Sequence, residues 1–286
     1  KNMSILKGIF SASMSILNED LTLDVNSTIE HAKNVDKLGA GPAFLGSNSQ
    51  AQLISVQEKK DLIKELEKHK FEHGVLIGTG CNSLKENINL MRYSLEKGFL
   101  NFLLMNPAYY KNDDDGVYDF YSNIFKKVPE CKVVFYNFNT LSGYTFSPDI
   151  IKRLVNEFSF NCAGLKDSTG NLWNNLKIAN FSIFVGSEAK LLTALTAGCA
   201  GCISGTTNVT HSLARQVYND FQNDKEQTVN EQLVAVRNTF DGYDHGPVPN
   251  FNRFFTNEKP SFILTSISLK GLESSPKFRK KFLRLK

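Results

Sequence analysis

The sequence reads Cys162-Ala163-Gly164-Leu165-Lys166 across a short apolar run and continues directly into the polar turn Asp167-Ser168-Thr169-Gly170-Asn171. A short apolar run bounded by turn residues is typical of a buried strand. Because the run ends in a lysine, the pattern places one ammonium at the rim of that strand. A simpler interpretation is a strand-terminal lysine that points into water, which is the common case.

A second apolar run, Lys132-Val133-Val134-Phe135-Tyr136-Asn137, lies earlier in the chain. The interval between the two runs has room for one helix and its loops, so the runs predict consecutive strand–helix units. In a parallel barrel, the carboxyl ends of neighbouring strands lie side by side on the face that carries active sites. We therefore expect Tyr136 and Lys166 to be neighbours on that face.

Short apolar runs alternate with helical patterns up to about residue 224. Eight strands are predicted, at residues 6–14, 42–46, 74–78, 99–105, 132–136, 162–166, 182–186 and 200–204. Each is expected to lead through polar or glycine-rich residues into a helix, and Ser147-Pro148 combines an N-cap with a proline at the first helical position. Eight such units predict an α/β fold, a (β/α)8 TIM barrel. An open doubly wound sheet is disfavoured because no G-x-G-x-x-G pattern follows the first strand.

The strand pattern stops near residue 225, and three helical stretches are predicted beyond it, at about 226–242, 248–269 and 276–285. We therefore predict two parts, a catalytic barrel at residues 1–225 and a C-terminal helical extension at residues 226–286 that packs on the barrel.

Composition narrows the class of protein. The chain has 286 residues, 41% of them hydrophobic, which suffices for a full core, and its net charge of +4 is too small to favour nucleic acid binding. Neither a membrane-spanning apolar run nor a secretory leader is visible, and the five scattered cysteines fit reduced thiols. We expect a cytoplasmic protein with no membrane association. Among the five histidines only His69 and His73 lie four residues apart, and two ligands alone do not make a structural metal site, so no metal is predicted.

The rim of the predicted barrel is rich in groups for carbonyl chemistry. An unprotonated lysine amine attacks a keto group to form an imine, and burial favours that unprotonated form. Two tyrosines and hydroxyl-bearing side chains follow the other strands, mainly in residues 46–50, 78–80, 106–110 and 205–208. This set suits a keto acid whose carbonyl meets the lysine while phenols transfer protons.

The chain resembles the superfamily of dihydrodipicolinate synthase and N-acetylneuraminate lyase, the pyruvate-dependent class I aldolases. The resemblance extends over essentially the whole chain. It rests on Gly78-Thr79-Gly80, on Pro107 and the tyrosine pair before Gly116, on Tyr136-Asn137 with Gly143 seven residues later, and on Gly164 to Asn171. Each motif alone is weak, whereas together at these spacings they are specific.

The resemblance implies roles for individual residues. Lys166 would form the imine, and Tyr136 would be the general acid and base beside it. Tyr109 matches the tyrosine that reaches into a neighbouring subunit's site in many members, although an aromatic pair with Tyr110 at a subunit interface is an equal alternative. Ser47 would link the tyrosines and help to hold the keto acid's carboxylate, unless it is an ordinary turn former.

Substrate binding is predicted for residues at the ends of four strands, namely Asn48, Ile203, Leu141, Gly186, Ser187, Glu188 and Ser204. Ile203 matches the residue whose backbone lines the pyruvate pocket. For Glu188 the alternative is a carboxylate in the first turn of a helix, where it would meet the positive end of the helix dipole.

Three departures from the family pattern bear on the substrate. The family's Gly-Thr-Thr-Gly-Glu stretch reads Gly46-Ser47-Asn48-Ser49-Gln50 in this chain. Leu141 stands where the synthases have the arginine that binds aspartate semialdehyde. The loop after strand 7 lacks the acidic pair that would be expected to bind a long polyol tail. Leu141-Ser142-Gly143 resembles the N-acetylneuraminate lyase loop instead.

We therefore predict a Schiff-base lyase that acts on pyruvate or a 2-keto-3-deoxy sugar acid and needs neither metal nor organic cofactor. Its partner would be a small-molecule 2-keto acid, and the resemblance implies a homo-oligomer, either a homotetramer or a homodimer. Dihydrodipicolinate synthesis and dehydration on the same imine remain alternatives. A non-catalytic keto-acid-binding protein is a further alternative, because the loop at residues 46–50 has drifted.

Overall fold

A computed structural model describes residues 6–240 of the chain. Eight parallel strands pair in chain order, and β8 pairs with β1, so the sheet closes into a barrel. The strands are β1 (Gly8–Ala12), β2 (Gly41–Phe44), β3 (Leu76–Ile77), β4 (Asn101–Met105), β5 (Lys132–Asn137), β6 (Cys162–Asp167), β7 (Ser182–Val185) and β8 (Gly201–Ser204). Each strand overlaps the segment predicted for it, which confirms the barrel.

Helices cover the outside of the barrel. They are α1 (Val25–Lys37), α2 (Val56–Leu66), α3 (Leu84–Glu96), α4 (Asp114–Lys127), α5 (Asn139–Ser142), α6 (Pro148–Glu157), α7 (Leu191–Thr196), α8 (Thr207–Gln222) and α9 (Asn230–Asn238). The Ser147 hydroxyl accepts a hydrogen bond from the backbone N–H of Ile150, and Pro148 occupies the first helical position, as predicted.

The expectation that a helix follows every strand is wrong after β6. Residues 168–181 form turns and irregular backbone before β7 begins. The carboxylate of Asp167 explains this, because it accepts hydrogen bonds from the backbone N–H groups of Gly170, Leu172 and Trp173. A side chain that satisfies several backbone donors stabilises a looped conformation in competition with helix.

The interior of the barrel is filled by side chains from alternate strand positions. Eight buried residues make up this inner cluster, namely Phe10, Ala43, Leu76, Leu103, Val134, Tyr136, Phe184 and Ile203. Phe10 and Phe184 meet edge to face with ring centroids 5.8 Å apart. The packed interior closes the middle of the barrel, so polar chemistry is confined to the strand ends.

The chain continues from the barrel into α9, whose Leu233 is completely buried. Helix α9 falls within the first of the three predicted C-terminal helices. The other two, at 248–269 and 276–285, lie outside the described residues, and the division at residue 225 stays a prediction. Within residues 6–240, none of the helices has the length and apolar character needed to cross a membrane.

Candidate active site

Lys166 and Tyr136 lie side by side at the carboxyl ends of β6 and β5. The two residues are direct partners in the strand register. The Lys166 Nζ atom lies 4.0 Å from the centroid of the Tyr136 ring, and both side chains are about 5% exposed or less. The pattern of the two apolar runs therefore predicted this neighbourhood correctly. Contact with the face of the Tyr136 ring helps to position the amine, which makes no ion pair within residues 6–240.

The phenol of Tyr136 also contacts Ser47. The Ser47 Oγ and Tyr136 OH atoms are 3.2 Å apart, and either can be the donor. The loop that carries Ser47 is strained, because Leu45 and Gln50 on its two sides have left-handed φ values of 57° and 53°. Such conformations are costly for residues other than glycine and cluster at functional sites.

Asn48 and Ser49 are turned into the wall of the barrel. Asn48 donates to the carbonyl of Ala12 over 3.4 Å, and Ser49 donates to the carbonyl of Ser13 over 2.5 Å. Asn48 packs so closely on Gly205 that a Cβ atom there would collide with its amide nitrogen. These two side chains therefore anchor the β2 loop to β1.

Tyr109 does not lie beside Lys166 within the described chain. Its side chain is 89% exposed, and its ring meets Tyr110 edge to face with a centroid separation of 5.0 Å. The backbone of Tyr109 is left-handed, with a φ of 80°. An exposed aromatic pair on a strained loop fits both sequence-based alternatives, a contact with a second subunit and a contribution to that subunit's site.

Glu188 is fully buried behind the barrel wall. Its Oε1 atom accepts hydrogen bonds from the hydroxyls of Thr206 and Thr210, at 2.5 and 2.6 Å, and Oε2 lies 3.8 Å from Nε of Arg237. The carboxylate thus joins the start of α8 to α9. Glu188 is also the first residue of the short 3₁₀ helix Glu188–Lys190 that precedes α7, so it lies in the first turn of a helix, as the alternative from sequence held.

The other predicted binding residues are dispersed. Gly186 and Ser187 are partly exposed after β7, whereas the Ser204 hydroxyl is buried 3.1 Å from that of Thr206. Ile203 belongs to the inner cluster together with Tyr136. Leu141, in α5, is 43% exposed. Of this group, the structure packs only Ile203 in one cluster with Tyr136.

An open pocket extends from Tyr136 over the ends of β2, β3 and β4. Its walls include the polar residues Ser47, Gln52, Thr79, Asn82 and Asn106. Apolar residues of the strand ends, among them Leu103 and Met105, form the base. The assignment of individual roles from sequence missed Asn106 and Asn82. Asn106 could have been found from the sequence, because it directly follows the apolar run of β4. Lys166 was found by the same kind of position, at the end of the apolar run of β6.

Cys81 is the thiol in this pocket. Burial raises its pKa, while the ammonium of Lys59, 3.6 Å from the sulfur, acts in the opposite direction. The raised pKa keeps Cys81 as a thiol, which is a poor nucleophile. Burial therefore disfavours Cys81 as a nucleophile in this pocket.

A hydrogen-bond clamp lies behind the lysine and the tyrosine. Asn137 and Asp167 follow Tyr136 and Lys166 directly and are also register partners. Asn137 donates to Asp167 over 2.9 Å and to Asn171 over 2.8 Å. Sequence reasoning gave neither residue a role, although both belong to the motifs that it singled out.

Among residues 6–240, acidic, histidine and cysteine side chains form no group of three that could hold a metal ion. Lys166 supplies an amine and Tyr136 a proton donor, which is what imine chemistry requires. The expectation that no metal or organic cofactor takes part stays a prediction.

The chain is similar in sequence to known proteins. A family model described as the dihydrodipicolinate synthetase family matches residues 5–285. A 2-dehydro-3-deoxy-D-gluconate/2-dehydro-3-deoxy-phosphogluconate aldolase of Picrophilus torridus is 26% identical over 213 residues, 72% of this chain and 78% of the relative. A 4-hydroxy-tetrahydrodipicolinate synthase of Nitratidesulfovibrio vulgaris is 27% identical over 233 residues, 79% of this chain and 75% of the relative.

Solved structures agree on the fold. The 2-keto-3-deoxygluconate aldolase of Picrophilus torridus superposes with a TM-score of 0.78 at 23% identity, covering 88% of this chain and 93% of that chain. A dihydrodipicolinate synthase of Thermotoga maritima superposes with a TM-score of 0.79 at 19% identity and covers 98% of both chains.

Proposed function

The chain belongs to the dihydrodipicolinate synthetase family, and we propose that it is a class I lyase that cleaves a 2-keto-3-deoxy sugar acid to pyruvate and an aldehyde. The observation that carries the proposal is the buried amine of Lys166, 4.0 Å from the ring of Tyr136 at the carboxyl end of the barrel. The similarity to an aldolase for 2-dehydro-3-deoxygluconate supports the substrate class.

The reaction begins at Lys166. Its unprotonated amine attacks the C2 carbonyl of the keto acid, and loss of water leaves a protonated imine. Removal of the proton from the C4 hydroxyl breaks the C3–C4 bond, whose electrons pass into the imine to give an enamine, and an aldehyde departs. Protonation of the enamine at C3 and hydrolysis then release pyruvate and restore the amine.

Tyr136 would move these protons. Its ring lies next to Nζ of Lys166 and its hydroxyl is 3.2 Å from that of Ser47. The hydroxyl pair provides a path along which a proton passes between the substrate and the rim. Backbone N–H groups of the loop around Ser47 would bind the carboxylate of the keto acid.

The active form would be a homo-oligomer. Tyr109 and Tyr110 expose 89% and 79% of their side chains on the rim, an aromatic surface that suits contact with a second copy of the chain. In that arrangement Tyr109 would complete a neighbouring site. A cytoplasmic location remains a prediction.

Leu141 argues against dihydrodipicolinate synthesis. It is an exposed apolar side chain on α5 and offers no cation to a second carboxylate. Dehydration of a sugar acid would start from the same imine. The two activities therefore differ only in their products, which are pyruvate and an aldehyde for a lyase and a dehydrated keto acid for a dehydratase.

The test is reductive trapping followed by product analysis. Borohydride reduction with pyruvate should attach a pyruvate-derived mass to Lys166, because reduction makes the imine irreversible. Incubation with 2-keto-3-deoxygluconate should release pyruvate and glyceraldehyde in equal amounts. Lys166→Ala should lose both signals, whereas Lys190→Ala, an exposed lysine on the same face of the barrel, should keep both.

An adduct on a different lysine, or none, would remove the basis of the proposal. Turnover that yields a dehydrated keto acid without pyruvate would assign the dehydratase alternative.

A further inference from the structure

The β2 loop, residues 45–51, brings Ser47 to the phenol of Tyr136, and two of its residues have a costly backbone conformation. Leu45 and Gln50 have φ values of 57° and 53°, in the left-handed region that residues other than glycine disfavour. Such residues keep this conformation only where the surrounding structure holds them in it. The contacts that hold the β2 loop therefore also determine where Ser47 lies.

The first of these contacts is between Gly78, directly after β3, and Leu45. The N–H of Gly78 donates to the carbonyl of Phe44 over 2.7 Å, so the two backbones lie against each other. A Cβ atom at position 78 would lie 2.4 Å from the carbonyl oxygen of Leu45, well inside van der Waals contact. The lack of a side chain at Gly78 is thus required for its contact with the first strained residue.

The second contact is between Gly80 and Ala51, which directly follows Gln50. A Cβ atom at position 80 would lie 2.3 Å from the Cβ atom of Ala51 and 2.8 Å from its carbonyl carbon. Ala51 is completely buried, and its N–H donates to the carbonyl of Gly46 over 3.3 Å, which closes the loop around Ser47. Displacement of Ala51 would therefore move the segment that carries the Ser47 hydroxyl.

The backbone around Gly80 is fixed by polar side chains. The ammonium of Lys59, a buried residue of α2, donates to the carbonyl of Gly80 over 3.4 Å. The Thr79 hydroxyl donates to Oδ1 of Asn87, whose amide nitrogen donates to the carbonyl of Cys81 over 2.9 Å. Because these bonds hold Gly80 in place, a larger side chain at this position would displace the β2 loop instead.

The β2 loop is also fixed to β1. Asn48 and Ser49 donate to backbone carbonyls there, as described above. Ser47 precedes these two anchors, and its hydroxyl oxygen lies 3.2 Å from that of Tyr136. The position of this hydroxyl therefore depends on contacts on both sides of the loop, with β1 on one side and with the residues after β3 on the other.

We propose that Gly80 is a positioning residue for the reaction, because its bare backbone lets Ala51 lie where the β2 loop sets the Ser47 hydroxyl. The phenol of Tyr136 then has its hydroxyl partner within hydrogen-bonding distance, on the path along which protons pass. This inference rests on the proposed lyase function. It adds a residue that does not touch the reacting atoms and on which proton transfer still depends.

The test combines Gly80→Ala with Ser47→Ala and measures cleavage of 2-keto-3-deoxygluconate by steady-state kinetics. Gly80→Ala should lower kcat by about tenfold or more, because a displacement of about 1 Å spoils the geometry of reacting groups. In a Ser47→Ala background the same substitution should lower kcat by less than about threefold, since the hydroxyl through which Gly80 acts is already gone. A role in folding alone would lower kcat equally in both backgrounds or not at all.

Gly98→Ala is the matched control. Gly98 lies between α3 and β4 with a φ of 87°, and a Cβ atom there would meet no other part of residues 6–240 within 4 Å. Gly80 has a φ of 58°, so the control imposes left-handed strain without the collision, and its kcat should stay within about twofold of wild type. Thermal unfolding of both variants measures the loss of stability separately. Trapping of saturating pyruvate on Lys166 should persist in both.

A milder variant decides the question if Gly80→Ala does not fold. Ala51→Gly removes the surface that contacts Gly80 and introduces no collision. It should lower kcat by about threefold or more where Ser47 is present, and by less in the Ser47→Ala background.

Three results would overturn the role of Gly80 and leave the lyase function intact. They are an unchanged kcat in Gly80→Ala, a loss that is equal with and without the Ser47 hydroxyl, and an equal loss in Gly98→Ala. Wild-type protein that neither traps pyruvate on Lys166 nor cleaves the keto acid would overturn the function itself, and the role of Gly80 with it.

Discussion

The side chain of Asn137 donates a 2.9 Å hydrogen bond to Asp167, one residue beyond the point where Tyr136 and Lys166 are paired. The carboxylate of Asp167 also accepts three backbone N–H groups of the following turn. Neighbouring residues on a strand point to opposite faces of the sheet. This bond therefore holds the two strands together from outside while the lysine and the tyrosine face the interior.

The first prediction follows from this clamp. Asp167→Asn should lower kcat for keto-acid cleavage by about tenfold to a hundredfold, because a small displacement of Lys166 from Tyr136 spoils the reacting geometry. KM should change little, since neither residue of the clamp touches the pocket. Steady-state kinetics and the rate of borohydride trapping are the measurements.

A purely structural role for Asp167 would give a different pattern. Asp36→Asn is the control, because Asp36 is a buried carboxylate at the other end of the barrel that accepts from the backbone of Glu72 and His73. Both substitutions should lower the free energy of unfolding by about 1–3 kcal/mol. Equal losses of kcat in the two variants would contradict positioning by Asp167.

The second prediction concerns proton transfer. Tyr136→Phe removes only the hydroxyl that contacts Ser47, and kcat should fall by about 10²–10⁴-fold, the usual contribution of a general acid or base. Ser47→Ala should have a smaller effect, because the phenol remains. Tyr144→Phe is the control, since that hydroxyl donates to Asp114 on the outside of the barrel. A kcat for Tyr136→Phe within a few-fold of wild type would assign proton transfer to another group.

Much of this arrangement could be predicted from the sequence, because it depends on order along the chain. Eight strands that alternate with helices favour a closed parallel barrel. In such a barrel, Tyr136 and Lys166 lie side by side, independently of the conformation of the loops. The polar turn after Lys166 was predicted, but the lack of a helix between it and β7 was not, since nothing in the composition of residues 168–181 reveals that Asp167 accepts three backbone donors. The burial of Glu188 depends on the distant Thr210 and Arg237, and such tertiary partners leave no local pattern.

The third prediction is a loss of stability at low pH. Burial lowers the pKa of His211 to about 4, and a second buried histidine, His31, acts in the same direction. The backbone N–H of Ser212 donates to Nδ1 of His211, so protonation at this nitrogen would break that bond. Because the pKa is lower in the folded state, the stabilisation is fully present above the unfolded value near 6.5 and is lost as the pH falls towards 4.

Urea unfolding at pH 7.5 and pH 5 measures this effect. The loss in free energy of unfolding would reach about 3 kcal/mol below both pKa values, and at pH 5, which lies between them, a loss of about 2 kcal/mol is expected. His211→Leu should flatten the profile between these pH values, whereas His69→Gln, which loses only a surface contact 3.8 Å from Glu65, should change it far less. An unaltered profile in His211→Leu would refute the assignment.

The last prediction concerns Leu141 and the second substrate. Leu141→Arg should raise condensation of pyruvate with aspartate semialdehyde, because a guanidinium at this exposed position of α5 can bind the aldehyde's carboxylate. A charge-assisted hydrogen bond contributes about 1.5–3 kcal/mol, which corresponds to a gain in kcat/KM of roughly 10-fold to 150-fold.

Thr140→Arg adds the same charge one residue away and should give little gain, since a helix turns the neighbouring side chain by about 100°. Coupled product detection with purified semialdehyde measures both variants. Efficient condensation by the unmodified protein would mean that another cation, such as Lys111 or Lys190, binds this carboxylate, and synthase activity would then be the better assignment.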